Sequence, residues 1–196
     1  MSQSIARRVM TNLLLGGAAW CTAQLSCADV TNKVVYAYYI ATARPNEPIR
    51  LALNRASPNR VGDRIFHAYT KWNVNWHYWT HYNLDGSCRI TGVQVDLTSS
   101  INLPTLVNGT DQQDAQFWTY LLALRTHEMG HVAIGESAAR DIDMAILALP
   151  EMSSCSALGE AANNAGYQIL SDYKSKEIQY DVTTQHGRTQ GAVLAP

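Results

Sequence analysis

The chain has 196 residues, of which 46% are hydrophobic and 16% are charged, and its formal net charge is −1. This length and hydrophobic content suit one globular domain with a single core. Nucleic-acid binding is not expected, because it depends on clustered positive charge and the lysines and arginines are dispersed.

Residues 1–28 have the composition of a secretory signal peptide. Arg7 and Arg8 precede the apolar stretch VMTNLLLGGAAW, no acidic residue occurs, and Ser26 and Ala28 supply small residues before the expected cleavage site. The apolar run is shorter than the ~20 residues that a membrane-spanning helix needs. We therefore expect an exported protein, periplasmic or extracellular, with no membrane insertion after signal removal and one domain over 29–196.

Removal of the signal peptide would leave two cysteines, Cys88 and Cys155, in an oxidising compartment. We expect them to form one disulfide bond. Two free buried thiols are the alternative, because the sequence alone cannot establish pairing.

The first half of the domain is predicted to consist of strands and one short helix. KVVYAYYI (33–40) is β-branched and aromatic, which favours a strand, and EPIRLALNRAS (47–57) is typical of a short helix. From 65 to 82, apolar and polar residues alternate with a period of two, which predicts a long, half-buried strand with a bend or bulge. NLDGS (83–87) has turn chemistry, and CRITGVQVDLT (88–98) is expected to return as the partner strand.

The second half is predicted to contain two long helices. Between 112 and 149 there is no proline, and apolar residues recur at helical spacing, as they do again over 155–179. The link PEMSS (150–154) is short, so an antiparallel helix hairpin is expected. The stripe of the first helix consists of Phe117, Tyr120, Leu121, Leu124, Ile134, Ala138, Ile142, Ala145 and Leu149.

The sequence HEMGH places His127, Glu128 and His131 on this apolar stripe. Two histidines four residues apart on one helix face can both bind zinc, and the intervening glutamate can take a proton from zinc-bound water. Burying these three side chains without partners would be costly. A pair of hydrogen-bonded core histidines is the alternative; export and the buried helical setting favour one zinc ion.

A third protein ligand is expected, because catalytic zinc usually has three. In an antiparallel hairpin Glu160 would lie ~20 Å along the helix axis from His131, which is too far. The residues expected to face the motif follow the second helix, and among them His186 is our predicted third ligand: imidazole is a favoured ligand, and ligation would order its polar tail. Asp181 and Glu177 stay open as alternatives, Asp181 also as an acceptor that orients an imidazole.

Three segments together, HEMGH, GSCRITGVQVDLTSSINLP and YDVTTQHGRTQGA, resemble a bacterial family described as predicted secreted zinc-dependent proteases, a domain otherwise of unknown function. The resemblance covers most of the chain after the signal peptide. Its tail pattern of Tyr-Asp, Thr and His-Gly is more specific than the histidine motif alone. That pattern is matched by Tyr180, Asp181, Thr184, His186 and Gly187.

These observations together predict a small zincin-like α+β domain, with an antiparallel sheet packed on the long HExxH helix and on a second, antiparallel helix. The expected activity is zinc-dependent peptide-bond hydrolysis, with Glu128 as general base and Tyr180 as a candidate for stabilising the oxyanion. A zinc amidase acting on cell-wall peptides is the alternative enzyme. A non-catalytic module that binds a peptide or protein partner is the alternative of another class, although it would not need Glu128.

Overall fold

The structure is a computed structural model that describes residues 30–194. The predicted signal peptide, with Cys21 and Cys27, lies outside the described residues. The fold is α+β, as predicted from the sequence. Its elements in chain order are β1 (Val30–Thr42), α1 (Ile49–Ala56), β2 (Arg60–Val61), β3 (Arg64–Ile65), β4 (Tyr69–Tyr82), β5 (Cys88–Val107), α2 (Asp111–Leu147), α3 (Cys155–Thr184) and a 3-10 turn (Arg188–Gln190).

The main sheet has three strands in the order β1-β5-β4. β4 and β5 are antiparallel and form the expected hairpin, whose register shifts between Trp79 and Thr80, so the bulge predicted for the long alternating segment is present. β1 pairs with the other side of β5 in parallel, with Val30 opposite Val95. The sheet is therefore mixed, because the chain crosses from β1 through α1 before it returns along β4.

β5 is longer than the predicted strand 88–98 and includes the segment INLPTL. Proline cannot donate a ladder hydrogen bond, which argues against a central strand at Pro104. β4 begins at Tyr69 opposite Asn102. Pro104 therefore lies beyond the part of β5 that pairs with β4, and the strand continues there beside β1 alone.

The 37-residue helix α2 crosses one face of the sheet. Its start is specified by a capping box, in which the Thr110 side chain accepts from the backbone of Gln113 and the Gln113 side chain accepts from the backbone of Thr110. One buried cluster lies near the first half of α2 and includes Phe117 and Leu124; another lies near the second half and includes Ile142 and Ile146. The histidine motif lies between these two clusters along the helix.

α3 runs antiparallel to α2, as the short link predicted, and continues to Thr184, five residues beyond the predicted end. Ser154 caps its first turn by accepting from the backbone of Ala157. The predicted disulfide between Cys88 and Cys155 is present, with 5.0 Å between the Cα atoms, and it joins the start of β5 to the start of α3. Over residues 30–194, no helix is both long enough and apolar enough to span a membrane.

Candidate active site

The three polar residues of the HExxH motif lie on the buried face of α2, where the sequence pattern placed them. The exposed fractions are 4% for His127, 3% for Glu128 and 7% for His131. The two imidazole rings are nearly perpendicular, with 4.8 Å between ring centroids and 3.3 Å between the two Nε2 atoms. Both Nε2 atoms therefore point at one place.

The third group at that place is Asp181, on the last turn of α3. Its Oδ1 is 3.2 Å from Nε2 of His127 and 3.1 Å from Nε2 of His131. Within the described part of the chain, His127, His131 and Asp181 form the group whose ligand atoms are close enough to hold one metal ion. Asp181 reaches this position because α3 remains helical past 179 and crosses α2 beside His131.

The Nδ1 atoms of both histidines face hydrogen-bond acceptors on the opposite side of each ring. Nδ1 of His131 is 3.0 Å from Oε2 of Glu177, and Nδ1 of His127 is 3.0 Å from Oε1 of Gln190. Protons on both Nδ1 atoms satisfy these acceptors and leave the Nε2 lone pairs directed towards Asp181. Metal-binding histidines are commonly oriented in this way. Glu177 holds the far side of the His131 ring and is therefore not placed to share an ion with Nε2.

Carboxylates dominate the electrostatics of the histidine pair. Burial opposes the charged form of His131, but hydrogen bonds to Asp181 and Glu177 outweigh it and raise the His131 pKa to about 10. Burial likewise opposes the charged form of Asp181, but hydrogen bonds to the two motif histidines hold the Asp181 pKa below its usual range. The site therefore concentrates negative charge around the two Nε2 atoms.

Glu128 is held by the sheet. The Oγ1 of Thr70, at the start of β4, donates to the Glu128 Oε2 at 2.6 Å. Burial raises the pKa of Glu128, against the lowering effect of this hydrogen bond. A carboxylate with a raised pKa accepts a proton more readily at neutral pH than an exposed one. The sequence signal for Thr70 was its place among the inward-facing residues of the alternating strand.

Tyr180 supports His127 from behind. The two rings are stacked with 5.1 Å between centroids and an angle of 7°, and the Tyr180 hydroxyl donates to the backbone carbonyl of His127 at 3.1 Å. A Cβ added to Gly130 would lie 1.9 Å from the Tyr180 oxygen, so the second variable position of the motif must be glycine for this packing. The hydroxyl is thus engaged with the backbone of α2, and the residues that line the cleft described below do not include Tyr180.

His186 lies at the mouth of the site. The backbone leaves α3 through Gln185, His186 and Gly187, all with positive φ angles. Non-glycine residues adopt this conformation at a cost of order 1 kcal/mol each and need support from their surroundings. Gly187 packs against His127, where an added Cβ would lie 3.1 Å from the His127 Cβ. The His186 Nδ1 is 3.5 Å from the Asp181 Oδ1, and the His186 side chain is 46% exposed.

A cleft of about 730 Å³ opens over these groups. The residues 61–70, before and at the start of β4, form one wall; the end of α3 and the residues after it form the other. The rings of Phe66 and His186 connect the two walls, with 5.4 Å between their centroids. His127, Glu128 and His131 line the floor.

The structure thus brings His127, Glu128, His131, Asp181 and His186 together, whereas Glu160 is exposed on the first turns of α3. The predicted ligand His186 is outside the metal-binding group found within residues 30–194, and Asp181 is in it. Sequence reasoning did not find Gln190, which is a polar residue in a polar tail with no distinguishing signal.

The fold and the site define a class of protein: an α+β domain in which a long helix presents HExxH to a cleft beside the edge of a three-stranded sheet. The chain belongs to the family described as "Bacterial protein of unknown function (DUF922)", which matches residues 36–187. The match includes β1, the histidine motif and the tail as far as Gly187. The family description assigns no activity, and no curated protein and no solved structure matches the chain.

Proposed function

We propose that this protein is an exported zinc-dependent metallopeptidase, in which His127, His131 and Asp181 hold one zinc ion and Glu128 is the general base. The observation that carries the proposal is the convergence of two Nε2 atoms and one carboxylate oxygen within 3.1 to 3.3 Å of one another. Two imidazoles and a carboxylate are a ligand set that zinc prefers in catalytic sites.

Hydrogen bonding supports a metal at this position over a pair of structural histidines. Lone pairs on two Nε2 atoms that face each other repel unless a proton or a cation lies between them. With both Nδ1 positions facing acceptors, a proton on Nε2 would make the ring a cation in a buried site. The carboxylates that raise the pKa of His131 to about 10 would hold a divalent cation for the same electrostatic reason.

Zinc at such a site would supply a Lewis acid that polarises the substrate carbonyl and lowers the pKa of water to near 7. Glu128 lies on the cleft floor, where its carboxylate can accept a proton from that water and transfer it to the leaving amine. Thr70 fixes the orientation of this carboxylate through Oε2 and leaves Oε1 free of its own hydrogen bond. Glu177 and Gln190 keep the two imidazoles in the tautomer that binds a metal.

Asp181 replaces His186 as the proposed third ligand. The Asp181 oxygen is close to both motif histidines, whereas the His186 ring approaches Asp181 from the cleft mouth at 3.5 Å. An exposed imidazole at that place is free to contact the substrate. Tyr180 acts in this proposal through His127, whose ring and backbone it holds, and it is a positioning residue.

The proposal is tested on the exported, purified protein by metal analysis and by digestion of a peptide library. We expect about one zinc per chain and hydrolysis of peptide bonds. Glu128→Gln should keep the zinc and remove hydrolysis by about 100-fold or more, because it deletes the base but no ligand. Glu160→Gln is the matched control, since Glu160 is exposed on α3 and is not among the residues that line the cleft.

Two results would contradict the proposal. Hydrolysis that survives in the Glu128→Gln variant would remove the mechanism, and purified protein without zinc that does not gain activity on addition of zinc would remove the cofactor. A zinc-loaded protein that binds peptides without cleaving any of them would favour the binding module.

A further inference from the structure

The walls of the cleft carry two arginines that the proposed chemistry does not use. Arg64 lies on β3 and Arg188 on the 3-10 turn, and both line the cleft with exposed side chains. Within residues 30–194, neither guanidinium has a hydrogen-bond or ion-pair partner. The two cations are therefore available to a ligand.

These arginines lie at the same mouth of the cleft. Arg64 is two residues from Phe66, Arg188 is two residues from His186, and those two rings are in edge contact. The carboxylates of the cleft do not neutralise them, because Asp181 and Glu177 are engaged with the histidines and Glu128 with Thr70. A substrate entering at this mouth meets positive charge before it reaches the site.

Apolar side chains lie on the same walls. Val61 on the hairpin is 63% exposed, Ile178 on α3 is 68% exposed, and both line the cleft. Exposed aliphatic residues beside arginines suit a peptide that carries apolar side chains as well as a negative charge, and they give an inorganic anion nothing to pack against.

From this arrangement we infer that the cleft selects peptides with a carboxylate close to the scissile bond, held by Arg64 and Arg188. The inference rests on the proposed function and names its substrate class. Guanidinium groups bind carboxylates through two parallel hydrogen bonds, which gives both affinity and orientation. The carboxylate has two sources, an acidic side chain or the C-terminus of the peptide.

The test uses matched fluorescent peptides based on one apolar sequence. One peptide is neutral with an amidated end, others carry Glu in place of Gln on either side of the scissile position, and another is neutral with a free C-terminal carboxylate. Dissociation constants are measured with the zinc-loaded Glu128→Gln variant, and kcat/KM values with the wild type. We expect at least one carboxylate peptide to bind about tenfold more tightly than its neutral match, with a similar advantage in kcat/KM that weakens as salt is raised.

Arg64→Gln combined with Arg188→Gln, on each of these two backgrounds, should reduce that advantage to below about twofold. Arg89→Gln is the control, because it removes one exposed positive charge from β5, outside the residues that line the cleft. Thermal melting and zinc content verify that the double variant is folded and loaded.

The outcomes separate the two proposals. Equal binding of neutral and carboxylate peptides, or an advantage that survives in the double variant, overturns the inference whether or not the wild type cleaves. Absence of cleavage by the wild type overturns the proposed function, while the binding constants still decide the inference. The peptide that shows the advantage identifies the carboxylate as an acidic side chain or a C-terminus.

Discussion

Asp181 occupies the centre of the site at the scale of single residues. Its Oδ1 lies within 3.5 Å of nitrogen atoms from three histidines, two on α2 and His186 after α3. A carboxylate that accepts from several imidazoles is either a ligand or a group that orients ligands, and the two roles differ in what its removal does to metal affinity.

Asp181→Asn is expected to lower zinc affinity by more than about 100-fold, because loss of a group that only orients a ligand already costs about 10- to 100-fold. His186→Ala is expected to change zinc affinity by less than about tenfold, because its side chain lies at the cleft mouth. Competition titration with a chromophoric chelator measures both. Asp172→Asn, exposed on the same helix, is the control.

The reverse pattern would contradict this assignment. Loss of zinc in the His186 variant together with retention in the Asp181 variant would restore the ligand that the sequence favoured and would make Asp181 an orienting acceptor.

At the scale of elements, the disulfide and the candidate site lie towards opposite ends of α3. The bond between Cys88 and Cys155 fastens the first turn of the helix to β5, and Asp181 is in the last turn. At ~1.5 Å per residue, the two are about 39 Å apart along the helix axis. The bond should therefore stabilise the fold without contributing directly to the site.

Replacing both Cys88 and Cys155 by alanine is expected to lower the free energy of unfolding by about 2 to 4 kcal/mol, because the bond closes a long loop in the unfolded chain. Zinc affinity measured under folding conditions should stay within about twofold of the wild type. Denaturant unfolding gives the stability, and mass spectrometry of the native protein gives the thiol count. Two free thiols in the native protein would contradict the premise.

At the scale of the whole molecule, His67 connects parts of the fold that are distant in sequence. Its Nε2 lies 2.7 Å from the Oδ1 of Asn54 on α1, and its Nδ1 lies 2.7 Å from the hydroxyl of Tyr120 on α2. Asn54 accepts and Tyr120 donates, so the neutral ring satisfies both contacts. Burial, aided by the positive charge of Arg50, lowers the pKa of His67 to about 4.

This shift predicts acid sensitivity of the fold. The unfolded chain, with a histidine pKa near 6.5, binds more protons than the folded protein at lower pH, so stability falls as the pH drops from about 6.5 to 4. The loss attributable to His67 is about 3 kcal/mol by pH 4. Denaturant unfolding of the wild type and of His67→Gln at pH 7 and pH 4 isolates it, since glutamine can hydrogen-bond but does not titrate. A stability difference between the two proteins that is the same at both pH values would contradict the prediction.

The sequence by itself determined the features that depend on periodicity and local chemistry. The helical spacing placed His127, Glu128 and His131 on a buried stripe, and the structure confirms their burial. Period-two alternation predicted β4 and its bulge, and the short link predicted the antiparallel helices. These features follow from which residues must avoid water, and each is encoded within one segment of the chain.

Only the tertiary structure decided which residue of the tail meets the histidines. Candidates for the third ligand lie within ten residues of one another, and a shift of α3 by one turn, ~5.4 Å, exchanges Glu177 for Asp181 beside the Nε2 atoms. The continuation of α3 to Thr184 keeps Asp181 on the helix face that meets α2, and the left-handed turn after it carries His186 to the mouth of the cleft. Packing between α2 and α3 sets this register through contacts such as Tyr180 on Gly130, which join residues about fifty positions apart and leave no periodic signal in the sequence.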